Sequence, residues 1–294
     1  MSADAIARLR AQFEAELKSN GDLYHPIDIE RVRTEDWQVK RFLLDQADGN
    51  EDAAFQALLK ALQWKKSFGV HDRTDQYFPK EVWEQNAVEI YGKDKQGRVI
   101  QWEAVRNQVR CSLFIDLFFP LFLTTNLLFT FFSQRVWKET ALLAKHFVAH
   151  CIERVDRAAG ETGFILITDS NGGGLANVDM DIMKFKIATI DLYPQALKGL
   201  YVVDLPWLLN AIMKMIVALM SEKLRSVVHY VKGSELAEVM DEQFIPVELK
   251  GGRDKHAFPA DLQSFEARGP ALGLDEKTVD TFYKTMKLPR PGKA

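Results

Sequence analysis

Residues 199–220 read GLYVVDLPWLLNAIMKMIVALM, a short apolar run followed by a longer one. The first part, Gly199 to Asp204, has the length and the β-branched content of a buried strand. The second part, Trp207 to Met220, has only two polar residues and is shorter than the roughly 20 residues that cross a bilayer. A helix that is apolar on every side must be buried or must cover something apolar. The stretch therefore predicts a strand, and after it either a core helix or a helix over an apolar cavity.

Similar short apolar runs lie on the N-terminal side of this stretch. Residues 164–168 end in a polar turn, and residues 99–105 have the composition of a further strand. A helix-like stretch, residues 178–192, lies between two of the predicted strands and ends before Pro194. Alternating strands and helices favour an α/β fold whose strands pair partly in parallel and are buried on both faces of the sheet.

The same patterns divide the chain into three parts. Residues 1–75 have apolar side chains at three- and four-residue spacing, which predicts an N-terminal helical block. Residues 76–262 hold the predicted α/β domain. Residues 263–294 form a C-terminal tail, in which residues 275–287 predict one helix.

The bulk composition limits the partners and the compartment. The formal net charge is −3 and the pI is near 6.1, so the chain has no overall attraction for nucleic acid. Two cysteines, Cys111 and Cys151, do not make a disulfide framework, and the first residues lack the apolar run of a secretory signal. We therefore expect a cytoplasmic protein without nucleic-acid partners, in which any membrane contact comes from a local patch.

An apolar insert at residues 111–134 differs from the sequence around it. It reads CSLFIDLFFPLFLTTNLLFTFFSQ, has no Lys or Arg, and holds seven of the nineteen phenylalanines. A transmembrane helix fits its length but not Asp116, Pro120 and Asn126, since polar groups in lipid are costly. A buried helix is the second interpretation. The third, which we favour, is a retained intron, because Phe, Leu and Ser codons are rich in pyrimidines.

A pair of histidines is the first pattern to test for chemistry. His146 and His150 stand four residues apart and share one face of a predicted helix. Zinc proteases with this spacing need a glutamate after the first histidine, and Phe147 stands there instead. We therefore predict two ordinary helix histidines and no metal site.

The ends of the predicted strands are the other candidate positions. Gly172-Gly173-Gly174 lacks the Lys-Ser/Thr of a phosphate-binding loop and predicts a turn. Asp169 and Asp204 end predicted strands, where α/β proteins place ligand contacts, although such residues more often cap the next helix. We assign no catalytic residue and no cofactor, and an enzyme that uses Asp169 or Asp204 stays a rival hypothesis.

Several segments, taken in order, resemble the CRAL-TRIO (cellular retinaldehyde-binding protein/Trio) family of lipid-binding proteins. The resemblance lies in their order and spacing, because no single motif is specific. Three shorter segments also resemble the lipid-binding region of motile-sperm-domain-containing members: residues 13–16, 178–181 and 204–211. The family resemblance is carried by residues 42–44, 53–66, 92–98, 192–194, 202–207 and 246–252.

The resemblance implies a three-layer α/β fold with a mixed sheet that floors a lipid cavity. Residues 207–220 would be a gate helix over that cavity, and the N-terminal helical block would precede the domain. Phosphatidylinositol-binding members have an acid after the Tyr-Pro and a lysine near the strand after the gate. Gln195 and Val227 stand at those positions here, which argues against phosphoinositide binding. The insert 111–134 has no counterpart in the family.

The function that the resemblance implies is not enzymatic. The protein would bind one hydrophobic ligand (a phospholipid, a sterol or a tocopherol-like molecule) and carry or present it at membranes, with the endoplasmic reticulum as one candidate. The alternatives are a protein-interaction module with a vestigial pocket, and a protein anchored in a membrane through residues 112–132. Strand alternation and helix spacing select the expected ligand-binding residues: Ile165, Ile167, Val202, Asp204, Trp207, Leu208, Ala211, Ile212 and Met215.

Overall fold

The computed structural model describes residues 3–46, 48–85, 87–108, 127–253, 258–286 and 288–292, with residues 127–139 and 176 as backbone only. The N-terminal block is helical, as its apolar spacing predicts. In it, α4 begins where the Asn50 side chain accepts a hydrogen bond from the Ala53 amide (2.9 Å) and ends at Gly69, whose φ is +67°. Its helices are α1 (Ala3–Asn20), α2 (Pro26–Thr34), α3 (Asp36–Asp45) and α4 (Glu51–Phe68).

The remaining elements alternate between strands and helices. They are α5 (Lys80–Glu84), β1 (Val88–Lys93), β2 (Val99–Ala104), α6 (Leu127–Ala159), β3 (Phe164–Asp169), α7 (Met180–Ile190), β4 (Leu197–Val203), α8 (Asn210–Leu219), α9 (Glu222–Ser226), β5 (Val228–Val231), α10 (Leu236–Val239), α11 (Phe265–Arg268) and α12 (Glu276–Met286).

Within the described residues, one sheet has the strand order β1-β2-β3-β4-β5. The β1–β2 pair is antiparallel and the other neighbouring pairs are parallel, so the sheet is mixed. Helix α6 connects β2 to β3, and α7 connects β3 to β4. The expected mixed α/β fold with an N-terminal helical block is therefore confirmed.

Both faces of the sheet are buried. Leu166, Leu200 and Val202 point to one face, where they pack in one cluster with side chains of α6, α7 and α8. Ile165 and Ile167 point to the other face, which the chain after β5 covers. This second cover begins with α10 and continues through the turns that follow it, and its buried side chains are Leu236, Met240, Ile245 and Leu249.

The C-terminal segment shares a core with the α/β body. The rings of Phe265 and Phe282 stack with centroids 3.9 Å apart. The carboxylate of Glu81 on α5 accepts hydrogen bonds from the Phe265 amide (2.7 Å) and from the Tyr283 hydroxyl. The helix expected at 275–287 is present as α12, and it packs into the same apolar cluster as Phe147 on α6. The apolar core therefore continues across residue 263, where the sequence patterns placed the start of the C-terminal tail.

The apolar insert falls largely outside the described residues. Of residues 111–134, the structure describes only 127–134, whose backbone forms the first part of α6. Among the helices of the described ranges, none has both the length and the apolar character that crossing a membrane requires. The retained-intron, transmembrane and buried-helix interpretations of this insert all stay hypotheses.

Candidate binding cavity

A cavity of about 100 Å³ lies between the sheet and helices α7 and α8. Its floor is the face of the sheet that carries Leu166, Leu200 and Val202. Its walls are almost entirely apolar because α7 and α8 present aliphatic and Met side chains to it. From α7 these are Met183, Ile187 and Ile190, and from α8 and its flanks Leu205, Leu209, Ile212, Met213, Ile216 and Met220.

A second chamber of about 150 Å³ lies on the other side of α7, toward α6 and the C-terminal segment. Leu143 and Phe147 of α6 line it together with Phe265, Phe282 and Met286. The two chambers are adjacent, since five residues line both: Glu103, Gln108, Asn177, Met183 and Lys186. The C-terminal segment, which sequence patterns set apart as a tail, is thus part of the cavity wall.

Two polar side chains at the junction form an ion pair, and a third side chain beside them donates a hydrogen bond to the pair. Lys186 on α7 forms an ion pair with Glu103 on β2. The other oxygen of the Glu103 carboxylate accepts a hydrogen bond from Gln101 Nε2 (3.1 Å). Glu103 is 5% exposed and Gln101 is 2% exposed, so the group is buried inside the fold. No sequence motif identified these residues, because Glu103 and Lys186 are 83 positions apart.

Asn177 lines both chambers and Asp179 lines the second, and the side-chain oxygens of both accept hydrogen bonds from backbone amides. Asn177 accepts a hydrogen bond from the Gly174 amide (3.0 Å) and donates to the Arg106 and Gln108 carbonyls. Asp179 caps α7 by accepting from the amides of residues 181 and 182 (2.9 and 3.1 Å). The glycine run 172–174 is the turn that leads to them, and Gly172 adopts a φ of +71° that favours glycine.

Helix α8 has apolar side chains on both of its long faces. Leu209, Ile212 and Ile216 face the cavity, whereas Trp207 at the start of the helix is 81% exposed and Met215 is 53% exposed. The whole stretch is apolar in sequence, and the fold divides it into an inner and an outer surface. What we call the outer surface of α8 includes the exposed side chains of the turn that leads into the helix. It is formed by Trp207, Leu208, Ala211, Met215 and Leu219.

The structure separates the expected ligand-binding residues into three groups. Val202 and Ile212 line the cavity. Ile165 and Ile167 lie on the opposite face of β3, whereas Leu166 between them lines the cavity. Because β3 is buried on both faces, apolar residues occupy both of its alternating sets, and composition alone could not choose between them.

The remaining expected residues are on the surface rather than in the cavity lining. Trp207, Leu208, Ala211 and Met215 belong to the outer surface of α8. Asp204 is exposed, with a φ of +47°, and its Oδ1 accepts a hydrogen bond from the Gly233 amide (3.1 Å). Asp204 therefore ties the end of β4 to the turn after β5.

The histidines and the acid that ends β3 make structural contacts. His146 packs edge-on against Phe68, with ring centroids 5.0 Å apart, and burial lowers its pKa to about 4. His150 Nε2 lies 2.7 Å from Asp75 Oδ1. Asp169 forms an ion pair with Arg106. In the part of the chain that the structure describes, no cluster of three or more His, Cys, Asp or Glu side chains is arranged to hold a metal.

Comparison with known proteins identifies the family. Residues 84–251, more than half of the chain, match the model of the CRAL/TRIO domain. Among solved structures, the chain is similar to one described as "Crystal structure of Sfh5", with a TM-score of 0.55 and 14% identity over 98% of this chain and 99% of that one. At this identity the likeness concerns the fold alone, and neither match supports the finer likeness to motile-sperm-domain proteins. The chain belongs to the CRAL/TRIO domain family, whose members are generally lipid-binding or lipid-transfer proteins.

Proposed function

We propose that the protein binds a single hydrophobic ligand in the cavity beneath α8 and carries or presents it at membranes. The observation that carries the proposal is the pairing of an apolar cavity with a helix whose outer surface is also apolar. An acyl or isoprenoid chain gains about 0.8 kcal/mol for each buried CH₂ group, so apolar walls alone supply most of the affinity.

The small size of the cavity supports a movement of α8 during ligand uptake. Chambers of about 100 and 150 Å³ are small beside the roughly 300–1,000 Å³ of typical ligand pockets. Ligand uptake therefore needs expansion, and α8 is the wall best suited to give it. Its inner contacts are apolar and non-directional, and it leaves the sheet through Pro206, where the backbone is extended.

The outer surface of α8 supports membrane contact as the trigger. Trp207 is the most exposed large hydrophobic residue of the described chain, and tryptophan favours the boundary between lipid and water. The exposed Lys214 lies on the same helix and suits anionic lipid headgroups. We propose that burying this surface in a bilayer replaces the contacts that α8 loses as it leaves the cavity. The endoplasmic reticulum is the first membrane to test.

Mass spectrometry of the organic extract of the purified full-length protein tests the proposal. A lipid present at about one molecule per protein, which the protein then transfers between vesicles, would support it. A folded protein that is empty and takes up no lipid from vesicles would contradict it. That outcome would favour a protein-interaction module in which the outer surface of α8 docks a protein partner.

A further inference from the structure

The ion pair between Glu103 and Lys186 lies where the two chambers meet, and both of its residues line both chambers. Burying two charges in an apolar wall costs desolvation free energy, and purely apolar side chains of similar volume are often as stabilising. A cavity that only has to hold hydrocarbon has no use for such a pair. Its position inside the binding cavity therefore points to ligand recognition.

Remaining hydrogen-bonding capacity separates this pair from Asn177 and Asp179. Asn177 and Asp179 use their oxygens on backbone amides, as described above. A lysine ammonium has three donors and a carboxylate has about four acceptor sites, so one ion pair leaves capacity on both Lys186 and Glu103.

A third polar side chain, Gln101, lies beside the pair without lining either chamber, and only one of its two polar atoms has a partner in the part of the chain that the structure describes. Gln101 extends from the same face of β2 as Glu103, and its Nε2 donates to that carboxylate. Within the described residues, Gln101 Oε1 is buried and accepts no hydrogen bond. A buried acceptor without a donor costs free energy, so Gln101 adds to the cost of keeping this pair beside an apolar cavity.

We infer that the ligand is an uncharged lipid with a hydroxyl group, and that this hydroxyl binds at Glu103 and Lys186 between the two chambers. The inference rests on the proposed function and specifies its ligand class. A hydroxyl donates one hydrogen bond and accepts others, so it can donate to Glu103 while it accepts from Lys186.

The charge balance of the site excludes the charged lipid classes. The two charges of the pair cancel, so the junction offers no net field to a charged headgroup. A fatty acid would bring a second carboxylate beside Glu103, and a long-chain amine would bring a second cation beside Lys186. A phospholipid phosphate would have to take Lys186 from Glu103, which would leave a buried carboxylate unpaired.

Competition among matched ligands tests the inference. Full-length protein is incubated with dioleoylphosphatidylcholine vesicles that contain equal amounts of octadecan-1-ol, octadecanoic acid, octadecylamine and octadecane. The protein is then separated from the vesicles and its extract is analysed by mass spectrometry. We expect octadecan-1-ol to be enriched about tenfold over each of the other three, the factor that one hydrogen bond to a charged group supplies.

The double substitution Glu103→Met and Lys186→Met removes both charges and leaves neither one unpaired. We expect it to abolish the preference for the alcohol while octadecane is retained as before. Lys184→Met is the matched control, because it removes an exposed lysine from the same helix outside the cavity lining and should leave the preference unchanged. If the double variant does not fold, the selectivity of the unmodified protein among the four compounds decides whether the inference holds.

The outcomes separate this inference from the proposed function. Retention of the four compounds in the proportions of the vesicle, or enrichment of the acid, the amine or the phosphatidylcholine, would overturn the inference and leave lipid binding intact. A double variant that still prefers the alcohol would overturn the role of the ion pair. A protein that retains none of the lipids would contradict the proposed function itself.

Discussion

Arg41 on α3 donates two hydrogen bonds to Asp156 on α6, with N–O distances of 2.7 and 2.9 Å. Its Nε also donates to the Pro194 carbonyl at the end of the segment that follows α7 (2.7 Å). Both charged side chains are buried, 8% and 1% exposed. This pair therefore fastens the N-terminal helical block to the layer of helices that holds the cavity.

Removing one member of this pair should destabilise the protein strongly. We expect Arg41→Met to lower the free energy of unfolding by about 3–5 kcal/mol, because it leaves the Asp156 carboxylate buried without its partner. Urea denaturation followed by circular dichroism measures the change. The double variant Arg41→Met and Asp156→Leu should recover part of the loss.

The Arg8–Glu51 pair (2.6 Å) is the control, because its side chains are far more exposed, 56% for Arg8 and 33% for Glu51. Arg8→Met should leave the free energy of unfolding almost unchanged. Equal effects of Arg41→Met and Arg8→Met would show that burial does not set the strength of the Arg41–Asp156 contact.

The outer surface of α8 should control transfer but not binding. We expect Trp207→Ala to slow lipid transfer between vesicles about tenfold, since Trp207 is 81% exposed and provides the largest apolar contact with a bilayer. The lipid content of the purified protein should not change. Tyr230→Ala is the control, because it removes an exposed ring from β5 instead of α8. If both variants slow transfer equally, the outer surface of α8 is not the membrane contact.

Bulk added to the inner surface of α8 should displace the ligand. Ile212 lines the cavity and is partly buried, so Ile212→Trp should fill space that a lipid would use and reduce the lipid-to-protein ratio by more than half. Ala211→Trp adds more volume at the neighbouring exposed position and should leave that ratio unchanged. Mass spectrometry of extracts from both variants measures the ratio. A similar loss in both would mean that the cavity beneath α8 does not hold the lipid.

His146 should make the folded state sensitive to acid. Burial, helped by the nearby Arg73, lowers the pKa of His146 from 6.5 to about 4, so the unfolded chain binds this proton first. The stability that neutral His146 contributes is complete above pH 6.5 and is lost as the pH falls toward 4. We expect a loss of about 1–2 kcal/mol across this range, less than the full shift would give, because solvent screens part of the charge.

His146→Phe keeps an aromatic ring against Phe68 and removes the titrating group. Urea midpoints measured between pH 7 and pH 4 should fall less in this variant than in the unmodified protein. Parallel curves for the two proteins would assign the acid sensitivity to other groups. His150 and His25 are the main alternatives, because burial also lowers their pKa values below 6.5.

The sequence by itself determined the type of each layer. Alternating apolar runs and helical periodicity predicted the helical block, an α/β sheet with partly parallel strands, and strands that are buried on both faces. The apolar stretch 207–220 is too short to span a bilayer and too apolar for an ordinary surface helix, so its composition predicted either a core helix or a helix over an apolar cavity. The resemblance to the CRAL-TRIO family favoured the second. Each of these features depends on the pattern of residues within one segment, so the sequence of that segment is enough to predict it.

Tertiary structure alone decided which side of each element faces the cavity. On β3, Ile165 and Leu166 are equally apolar, so only the packing of α6 to α8 against one face assigns Leu166 to the cavity. On α8, apolar residues surround the helix, and only the position of the sheet makes Ile212 inner and Ala211 outer. The ion pair of Glu103 and Lys186 depends on a β2 strand and an α7 helix that are distant in sequence. Contacts of this kind exist only once the chain is folded, because no periodic pattern within either segment encodes its partner.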